Sequence, residues 1–395
     1  MSPTSGLSHS APGMEKALSV PTRPVQLSQV MLAGMLCMAL LGAATTYYGP
    51  TLVYVAAESN QPIAAVGVVF AMHGAGFFLS TLIANRLARR FEMRRGVVIG
   101  CLFVGLGALG YAALPFPLNV ASAFSVGFGA GILEVLLNRL VELLAVNEPA
   151  AALTRLHSTW GVGAVAIPLV VAAVAQIGLN WRAAGVLLLG YVALAVAVVL
   201  RWPEFAVDHG GDVEWRAVPW RSIALFVAMF VVYVGVESAV GAWATTFFSK
   251  LGQGLFVGAL ATSAFFLALT VGRLLFGSSV ERLGYGSAVR LSTGLGAGAL
   301  LLTFSPRLAL LGFGLAGLAF SVVFTTMLAW AARRHPTLRT QMASISIASA
   351  GLGSMFVPSL IGVAVGAVGA WSLTPILIGT ALVVAGLSFF ERGRV

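Results

Sequence analysis

Charged side chains are scarce in this sequence. Only 9% of its 395 residues are Asp, Glu, Lys or Arg, and 13 are acidic. A soluble globular protein carries about 25% charged residues, so the composition excludes an ordinary soluble domain. The two cysteines, Cys37 and Cys101, lie in apolar segments, which argues against a disulfide framework. The sequence also lacks a Walker phosphate loop, a nucleophile elbow and a metal-ligand pattern. We therefore expect no enzyme, no cofactor, no metal site and no ATP-driven transport by this chain alone.

Long apolar runs take the place of charge. Hydrophobic residues make up 59% of the sequence, and the mean hydropathy is +0.96. Since about 20 apolar residues span a bilayer as a helix, the chain is predicted to be an all-α polytopic membrane protein with twelve transmembrane helices. The runs are 28–55, 62–84, 96–115, 118–145, 155–178, 183–201, 221–249, 255–280, 288–304, 308–331, 341–368 and 370–390.

The connections between the runs are short except for 202–220, which is polar, charged and contains glycine. This linker divides the chain into two six-helix bundles, 28–201 and 221–390. The first 27 residues, 1–27, are polar and rich in Ser and Pro, and they lack the apolar core of a signal peptide. We expect them to form a disordered cytoplasmic tail, with a short second tail at 391–395.

Basic residues predict the orientation, because cytoplasmic loops carry an excess of Lys and Arg. They cluster after the second, eighth and tenth runs, at Arg86, Arg89, Arg90, Arg94, Arg95, Arg273, Arg282, Arg290, Arg333, Arg334 and Arg339. The opposite side carries Arg182, Lys250 and Arg307. Both termini are therefore expected in the cytoplasm, with the chain in a bacterial-type inner (plasma) membrane. The net charge of +10 is explained by topology, so nucleic acid is not an expected partner.

The two halves repeat each other in sequence. Gly161, Gly163, Pro168 and Trp181 recur 190 residues later as Gly351, Gly353, Pro358 and Trp371. A parallel repeat of this kind is typical of transporters that bind substrate near the midplane between their halves. The Trp residues at span ends, Trp181, Trp202, Trp220 and Trp371, are expected to anchor at the membrane interfaces.

Two Arg-rich loops carry a family resemblance. The sequences TLIANRLARRF (81–91) and GSSVERLGYG (277–286) resemble the signature loops of the major facilitator superfamily. The resemblance implies that family's fold of two six-helix bundles. It also implies a cytoplasmic gate made by Arg86, Arg90, Glu281 and Arg282, although Asn85 stands where the family's first loop carries Asp.

Three helices resemble a narrower group, the fucose/glucose/galactose–proton symporters and their sodium-coupled glucose-transporter relatives. The matches are Gly127, Gly129, Glu134 and Asn138 in the fourth helix, Tyr-Val-Gly-Val-Glu (233–237) in the seventh, and Leu156-His157 with Gly161, Gly163 and Pro168 in the fifth. This chain departs from the group at Arg139, where the others have Pro. If Arg139 turned inward, it would neutralise Glu134 and favour anionic substrates.

Two acids in apolar helices, Glu134 and Glu237, are the candidate functional groups, because such carboxyls usually face a protein interior or a water-filled cavity. Glu134 and Asn138 are one turn apart and share a helix face. An acid beside an amide suits the hydroxyls of a sugar, which both donate and accept. Burial disfavours a charged carboxyl, so Glu134 and Glu237 are the candidate proton-coupling groups. For Glu134 the alternative is an acid that is protonated or paired with Arg and stabilises helix packing.

The other candidates for substrate binding are His157, Trp243, Tyr47 and Tyr48, where the indole would pack on a sugar's C–H face. The resembled symporters carry an Asp in the first helix, four residues before a Pro, whereas this chain has Thr46 there. Glu134 alone would then carry the proton, or coupling would differ, or transport would be passive. His73 is expected to be a packing residue rather than a proton relay.

The predicted function is proton-coupled symport of a neutral monosaccharide by alternating access, with co-transported H⁺ or Na⁺ and a monomer in the lipid bilayer. The alternative is a proton-coupled exporter of amphipathic, drug-like compounds, because one fold hosts both functions. A third hypothesis, a receptor on a transporter scaffold, predicts binding of a small molecule without flux.

Overall fold

The computed structural model of the protein describes residues 24–90, 92–144, 149–202, 220–277 and 279–391. All regular structure within these ranges is helical, and twelve helices are long and apolar enough to cross a membrane. They are α1 (Pro24–Thr46 and Tyr48–Ser59), α2 (Ile63–Val66 and Val68–Arg90), α3 (Met93–Ala113), α4 (Leu118–Leu144), α5 (Pro149–Gln176), α6 (Arg182–Val199), α7 (Trp220–Lys250), α8 (Gly254–Phe276), α9 (Tyr285–Leu300), α10 (Ala309–Phe320 and Val323–Arg334), α11 (Arg339–Val368) and α12 (Leu373–Leu387). The predicted all-α fold with twelve spans is confirmed.

The boundaries differ from the prediction at a few ends. Helix α1 begins at Pro24, inside the predicted tail, and α8 ends at Phe276, before a separate short helix, Ser279–Leu283. Single 3₁₀ turns follow α9 (Leu301–Phe304) and precede α12 (Ala370–Ser372). The rest of the predicted tail (1–23), the linker residues 203–219 and the last residues, 392–395, lie outside the described residues.

Proline explains the interruption of α1. The ring of Pro50 has no N–H and clashes with the carbonyl four residues back, at Thr46, and α1 is interrupted between Thr46 and Tyr48. Helix α10 is interrupted between Phe320 and Val323 without a proline in the sequence. Two side chains from neighbouring helices account for that break, as described with the site below.

The internal repeat is visible in how the glycines pack. A methyl group added to Gly163 of α5 would collide with the Ala39 carbonyl of α1, and one added to Gly353 of α11 with the Val231 carbonyl of α7. Glycine is therefore required where α1 crosses α5 and where α7 crosses α11, which are equivalent positions in the two halves. Small residues at such crossings let membrane helices approach at backbone distance.

The same symmetry appears at the ends of the outer helices. Arg94, at the start of α3, donates to the Trp202 carbonyl beyond α6 at 2.9 Å. Arg290, at the start of α9, lies 3.5 Å from the Ser388 carbonyl beyond α12. These contacts lie on the face where α1 begins and α12 ends, which we call the terminal face.

The halves are packed together on the face opposite the terminal face. Added methyl groups would bring Gly49 of α1 into the Gly241 carbonyl of α7, and Gly366 of α11 within 2.8 Å of the Ala64 side chain of α2. Trp243 lies against both Gly67 of α2 and Gly362 of α11. Helices of the two halves are therefore in direct contact on this face.

Candidate functional site

A cavity of about 180 Å³ lies between the two halves. Its lining comes from α1, α2, α4 and α5 of the first half and from α7, α8, α10 and α11 of the second. Among the residues that the structure describes, α3, α6, α9 and α12 contribute none to the lining. A water molecule needs roughly 10–15 Å³, so the cavity has room for a small molecule.

Glu134 lies in this cavity within a hydrogen-bonded cluster. Asn138, one turn further along α4, donates from Nδ2 to Glu134 Oε1 at 3.1 Å. His157 Nε2 on α5 lies 2.9 Å from Asn138 Oδ1, and because an amide oxygen only accepts, that nitrogen donates. The same Nε2 is 3.9 Å from Glu134 Oε1. The cluster therefore orients a carboxyl with an exposed fraction of only 13% toward the space between the halves.

Glu237 also lines the cavity, but it is paired with a cation. Arg273 Nη2 of α8 is 3.3 Å from Glu237 Oε1, and both side chains are 12% exposed. The sequence pattern had assigned Arg273 to the charge bias of a loop, whereas its guanidinium turns inward and lines the cavity. Glu237 thus carries an Arg partner that the sequence analysis did not foresee for this acid.

Arg273 also accounts for the interruption of α10. Its Nε donates to the Ser321 carbonyl at 3.2 Å, and the Tyr233 hydroxyl of α7 donates to the Phe320 carbonyl at 2.8 Å. Side chains that hydrogen-bond carbonyls within a helix can replace its i→i−4 bonds and break it. One guanidinium therefore connects a cavity carboxylate with the break in α10.

The two halves bring their charged groups close together across the α5/α8 contact. Gly161 of α5 packs on Thr270 of α8 so closely that an added methyl group would collide with the threonine hydroxyl. This contact is about one helical turn from His157 on one side and from Arg273 on the other. The Glu134 cluster and the Glu237–Arg273 pair consequently share one cavity.

Aromatic rings form the apolar part of the lining. Trp160 of α5 and Phe266 of α8 meet edge to face across the halves with ring centroids 5.3 Å apart, and both line the cavity. Phe70, Phe77 and Phe324 complete this part of the wall. Trp160 was missed in the sequence analysis, although it lies three residues after His157 and hence on the same helix face.

Two predicted aromatic candidates do not line the cavity. Trp243 is 1% exposed and donates from Nε1 to the Pro358 carbonyl at 2.8 Å. Tyr47 is also 1% exposed and packs on Tyr111 and Trp181 within the first half. Both residues therefore lie away from the place where the other candidates meet.

Tyr48 and His73 do line the cavity, and each has a buried polar atom without a partner. These atoms are the Tyr48 hydroxyl and His73 Nδ1. An unpaired buried polar atom costs about 1–3 kcal/mol, so each needs an explanation. The structure therefore places His73, which the sequence predicted to be a packing residue, at the cavity.

The predicted gate is described only in part. Arg86 and Arg282 are exposed, and the side chains of Arg90, Glu281 and Asn85 lie outside the described residues. The side chain of Glu142, three residues after Arg139, is also outside them. Arg139 is not a lining residue of the cavity. Within the described ranges, no three His, Cys, Asp or Glu side chains are grouped so that they could hold a metal ion.

Comparisons with known proteins agree with this architecture. The family model described as Major Facilitator Superfamily matches residues 34–224. A glucose/galactose transporter of Brucella abortus biovar 1 (strain 9-941) is 28% identical over 202 residues, which are 46% of this chain and 49% of that relative. The match thus spans about half the length of that relative. The glucose/mannose transporter GlcP of Bacillus subtilis (strain 168) is 23% identical over 328 residues, covering 77% of this chain and 80% of that protein.

Two solved structures have the same fold. The nucleoside transporter NupG superposes with a TM-score of 0.74 at 15% identity, covering 93% of this chain and 100% of that one. The xylose transporter XylE from E. coli, in a partially occluded inward-open conformation, gives a TM-score of 0.74 at 16% identity with the same coverage. At these identities the likeness concerns the fold alone.

Proposed function

Because this chain belongs to the major facilitator superfamily, we propose that it is a secondary active transporter that carries a neutral monosaccharide together with a proton. The halves would rock around the cavity, which then opens to each side of the membrane in turn. The observation that carries the proposal is the cluster of Glu134, Asn138 and His157 at the junction of the halves.

The chemistry of the cavity lining supports this substrate class. Its carboxyl, imidazole and hydroxyl groups provide both donors and acceptors, as the hydroxyls of a sugar require. The rings of Trp160 and Phe266 provide an apolar surface for a sugar's C–H face. Relatives named as glucose transporters support the same class.

Glu134 is the proposed proton carrier. A charged carboxyl in a closing, water-poor cavity is unfavourable, so proton uptake would lower the cost of closing the loaded carrier. The Arg273 guanidinium already neutralises Glu237, which leaves Glu134 as the acid whose charge a proton would remove. This assignment accommodates Thr46 in place of the first-helix Asp of the resembled symporters.

The test is transport by purified protein in proteoliposomes. Uptake of a monosaccharide panel is measured with an imposed pH gradient, with a Na⁺ gradient and with neither. We expect accumulation of at least one sugar that requires the pH gradient. Accumulation driven only by Na⁺ would replace the proton by sodium, and the absence of any sugar flux would overturn the proposal.

The Glu134→Gln variant isolates the coupling step. It should abolish accumulation driven by the pH gradient and preserve sugar exchange, because Gln mimics the protonated acid. Glu92→Gln is the matched control, since that exposed carboxylate pairs with Arg95 outside the cavity. Uphill uptake retained by Glu134→Gln would reject Glu134 as the carrier.

The aromatic share of the lining, including Phe77 and Phe324, favours a second candidate, export of amphipathic compounds in exchange for protons. Extrusion of a lipophilic cationic dye from cells, lost in Glu134→Gln, would support this candidate over the first. The small volume of the cavity is the reason we place it second.

We also infer a multi-pass protein of a bacterial inner membrane with both termini in the cytoplasm. The exposed Arg86 and Arg282 lie on the terminal face, in agreement with the excess of basic residues on cytoplasmic loops. Labelling of a terminal tag in intact and permeabilised cells checks this orientation.

A further inference from the structure

Two polar atoms of the cavity wall have no role in the proposed mechanism. The Tyr48 hydroxyl on α1 and His73 Nδ1 on α2 are buried and have no hydrogen-bond partner within the described part of the chain. Glu134 and Glu237, the acids of that mechanism, belong to other helices, α4 and α7. Buried polar atoms are normally paired, and an exception in a cavity wall indicates a group that a ligand completes.

The two side chains are neighbours and are held in place. Their rings meet edge to face with centroids 5.6 Å apart. The Tyr48 ring also packs on Tyr111, at 5.0 Å, and on Phe70, at 6.4 Å. Since aromatic neighbours surround it, the phenol has little freedom to turn its hydroxyl toward another protein group.

The backbone around His73 is fixed as well. A methyl group added to Gly127 of α4 would collide with the His73 carbonyl, and one added to Gly74 would come within 2.6 Å of Met355 on α11. Near His73, helix α2 therefore packs closely against α4 of its own half and α11 of the other half. A binding group is most specific when rigid elements position it in this way.

We propose that Tyr48 and His73 form a hydroxyl subsite that binds one OH group of the carried monosaccharide and sets the specificity at that position. A hydroxyl both donates and accepts, so it can accept from the phenol and donate to the imidazole nitrogen. Both polar atoms are closed to solvent in this conformation, so the two rings must move apart for the sugar hydroxyl to reach them. This inference rests on the proposed function.

The test uses the full-length protein in proteoliposomes and a transported sugar from the panel. Competition by its monodeoxy analogues, each lacking one hydroxyl, gives a discrimination profile for the wild type. We expect Tyr48→Phe and His73→Phe each to raise KM about tenfold, the equivalent of one lost hydrogen bond. Both should lose discrimination at the same single hydroxyl and retain it at the others.

Tyr47→Phe is the matched control. The Tyr47 hydroxyl is also buried and unpartnered, but the residue is not part of the cavity lining. Its loss should change KM by less than about twofold and leave the deoxy profile intact. Equal effects of Tyr47→Phe and Tyr48→Phe would overturn the proposal, as would an unchanged profile in Tyr48→Phe and His73→Phe.

Thermal unfolding in detergent separates binding from folding. Removal of an unpaired buried oxygen relieves a cost, so Tyr48→Phe should melt at the same temperature as the wild type or higher. A lower melting temperature with the wild-type deoxy profile would show that the hydroxyl serves the fold, against the proposal. A wild type that carries no sugar would instead reject the proposed function, and this inference with it.

Discussion

Arg273 is the residue on which the second half of the cavity depends. Its guanidinium bonds Glu237 with one nitrogen and the Ser321 carbonyl with another. Planar guanidinium groups suit such branched contacts, which an ammonium group cannot reproduce in the same geometry. A single side chain therefore holds both the charge balance of the cavity and the shape of α10.

Removing that cation should leave Glu237 uncompensated. We expect Arg273→Gln to lower the free energy of unfolding by about 2 kcal/mol, less than the roughly 3–5 kcal/mol of a fully buried pair, because both side chains are 12% exposed. The double variant Glu237→Gln/Arg273→Gln should recover part of this loss, since it buries no lone charge. Thermal unfolding in detergent measures both, and a double variant less stable than Arg273→Gln would contradict the pairing.

The sequence predicted some of the site residues well for a simple reason. Glu134 and Asn138 are four apart in a helix, and this spacing alone brings their side chains together. The positions of Trp243, Trp160 and Arg273 relative to the cavity depend instead on which face each helix turns to the other half. A single apolar helix carries little sign of that choice, so the sequence analysis named Trp243 and missed Trp160.

At the scale of helices, glycine decides how closely α1 and α5 approach. We expect Gly163→Ala to lower the free energy of unfolding by about 1–3 kcal/mol, because the new methyl group would collide with the Ala39 carbonyl. A backbone atom cannot move aside as a flexible side chain can. Thermal unfolding in detergent is the measurement.

Gly190→Ala in α6 is the control for this prediction, because an added methyl group there meets nothing within 4 Å. Alanine favours a helix over glycine by up to about 1 kcal/mol, so this variant should be as stable as the wild type or more stable. Equal losses at Gly163 and Gly190 would show that the α1/α5 crossing is not the cause.

The interruptions of α1 and α10 show which breaks a sequence pattern can predict. Pro50 marks the break in α1 directly, because its ring excludes the bond to Thr46. The break in α10 has no such mark, since Tyr233 and Arg273 on other helices take its carbonyls. Tertiary hydrogen bonds of this kind cannot be read from the α10 sequence itself.

For the whole molecule, the contact of Gly49 with the Gly241 carbonyl holds the halves together opposite the terminal face. Gly49→Ala should push α1 from α7 and shift the population toward opening on that face. Ser354 lines the cavity, so a cysteine at this position reports access to the cavity. In a Ser354→Cys background, Gly49→Ala should make the cysteine react several times faster with a membrane-impermeant maleimide added from that face. The native thiols, Cys37 and Cys101, are buried.

Gly294→Ala in the same Ser354→Cys background is the control, since an added methyl group at Gly294 meets nothing within 4 Å. Its labelling rate should equal that of Ser354→Cys alone. An unchanged rate in Gly49→Ala would mean that closure on this face does not depend on the α1/α7 contact.

The overall architecture was predictable because the bilayer imposes it. Apolar runs of sufficient length must form helices that satisfy their own backbone, and the repeat of Gly161 and Gly163 as Gly351 and Gly353 indicated two equivalent halves. The packing of Gly163 on α1 and Gly353 on α7 agrees with that repeat. The repeat did not predict the break in α10 or the pairing of Glu237 with Arg273, because both features occur where the halves differ.

Helices α4 and α10 hold equivalent places in the repeat but differ in stiffness. Helix α4 runs unbroken over Leu118–Leu144 and carries Glu134, whereas α10 is two shorter rods, Ala309–Phe320 and Val323–Arg334, joined where Arg273 and Tyr233 take its carbonyls. A rod resists bending along its whole length, while a jointed one yields at a single point. For this pair of helices, bending between the inward and outward shapes would then fall on the joint of α10 rather than on α4.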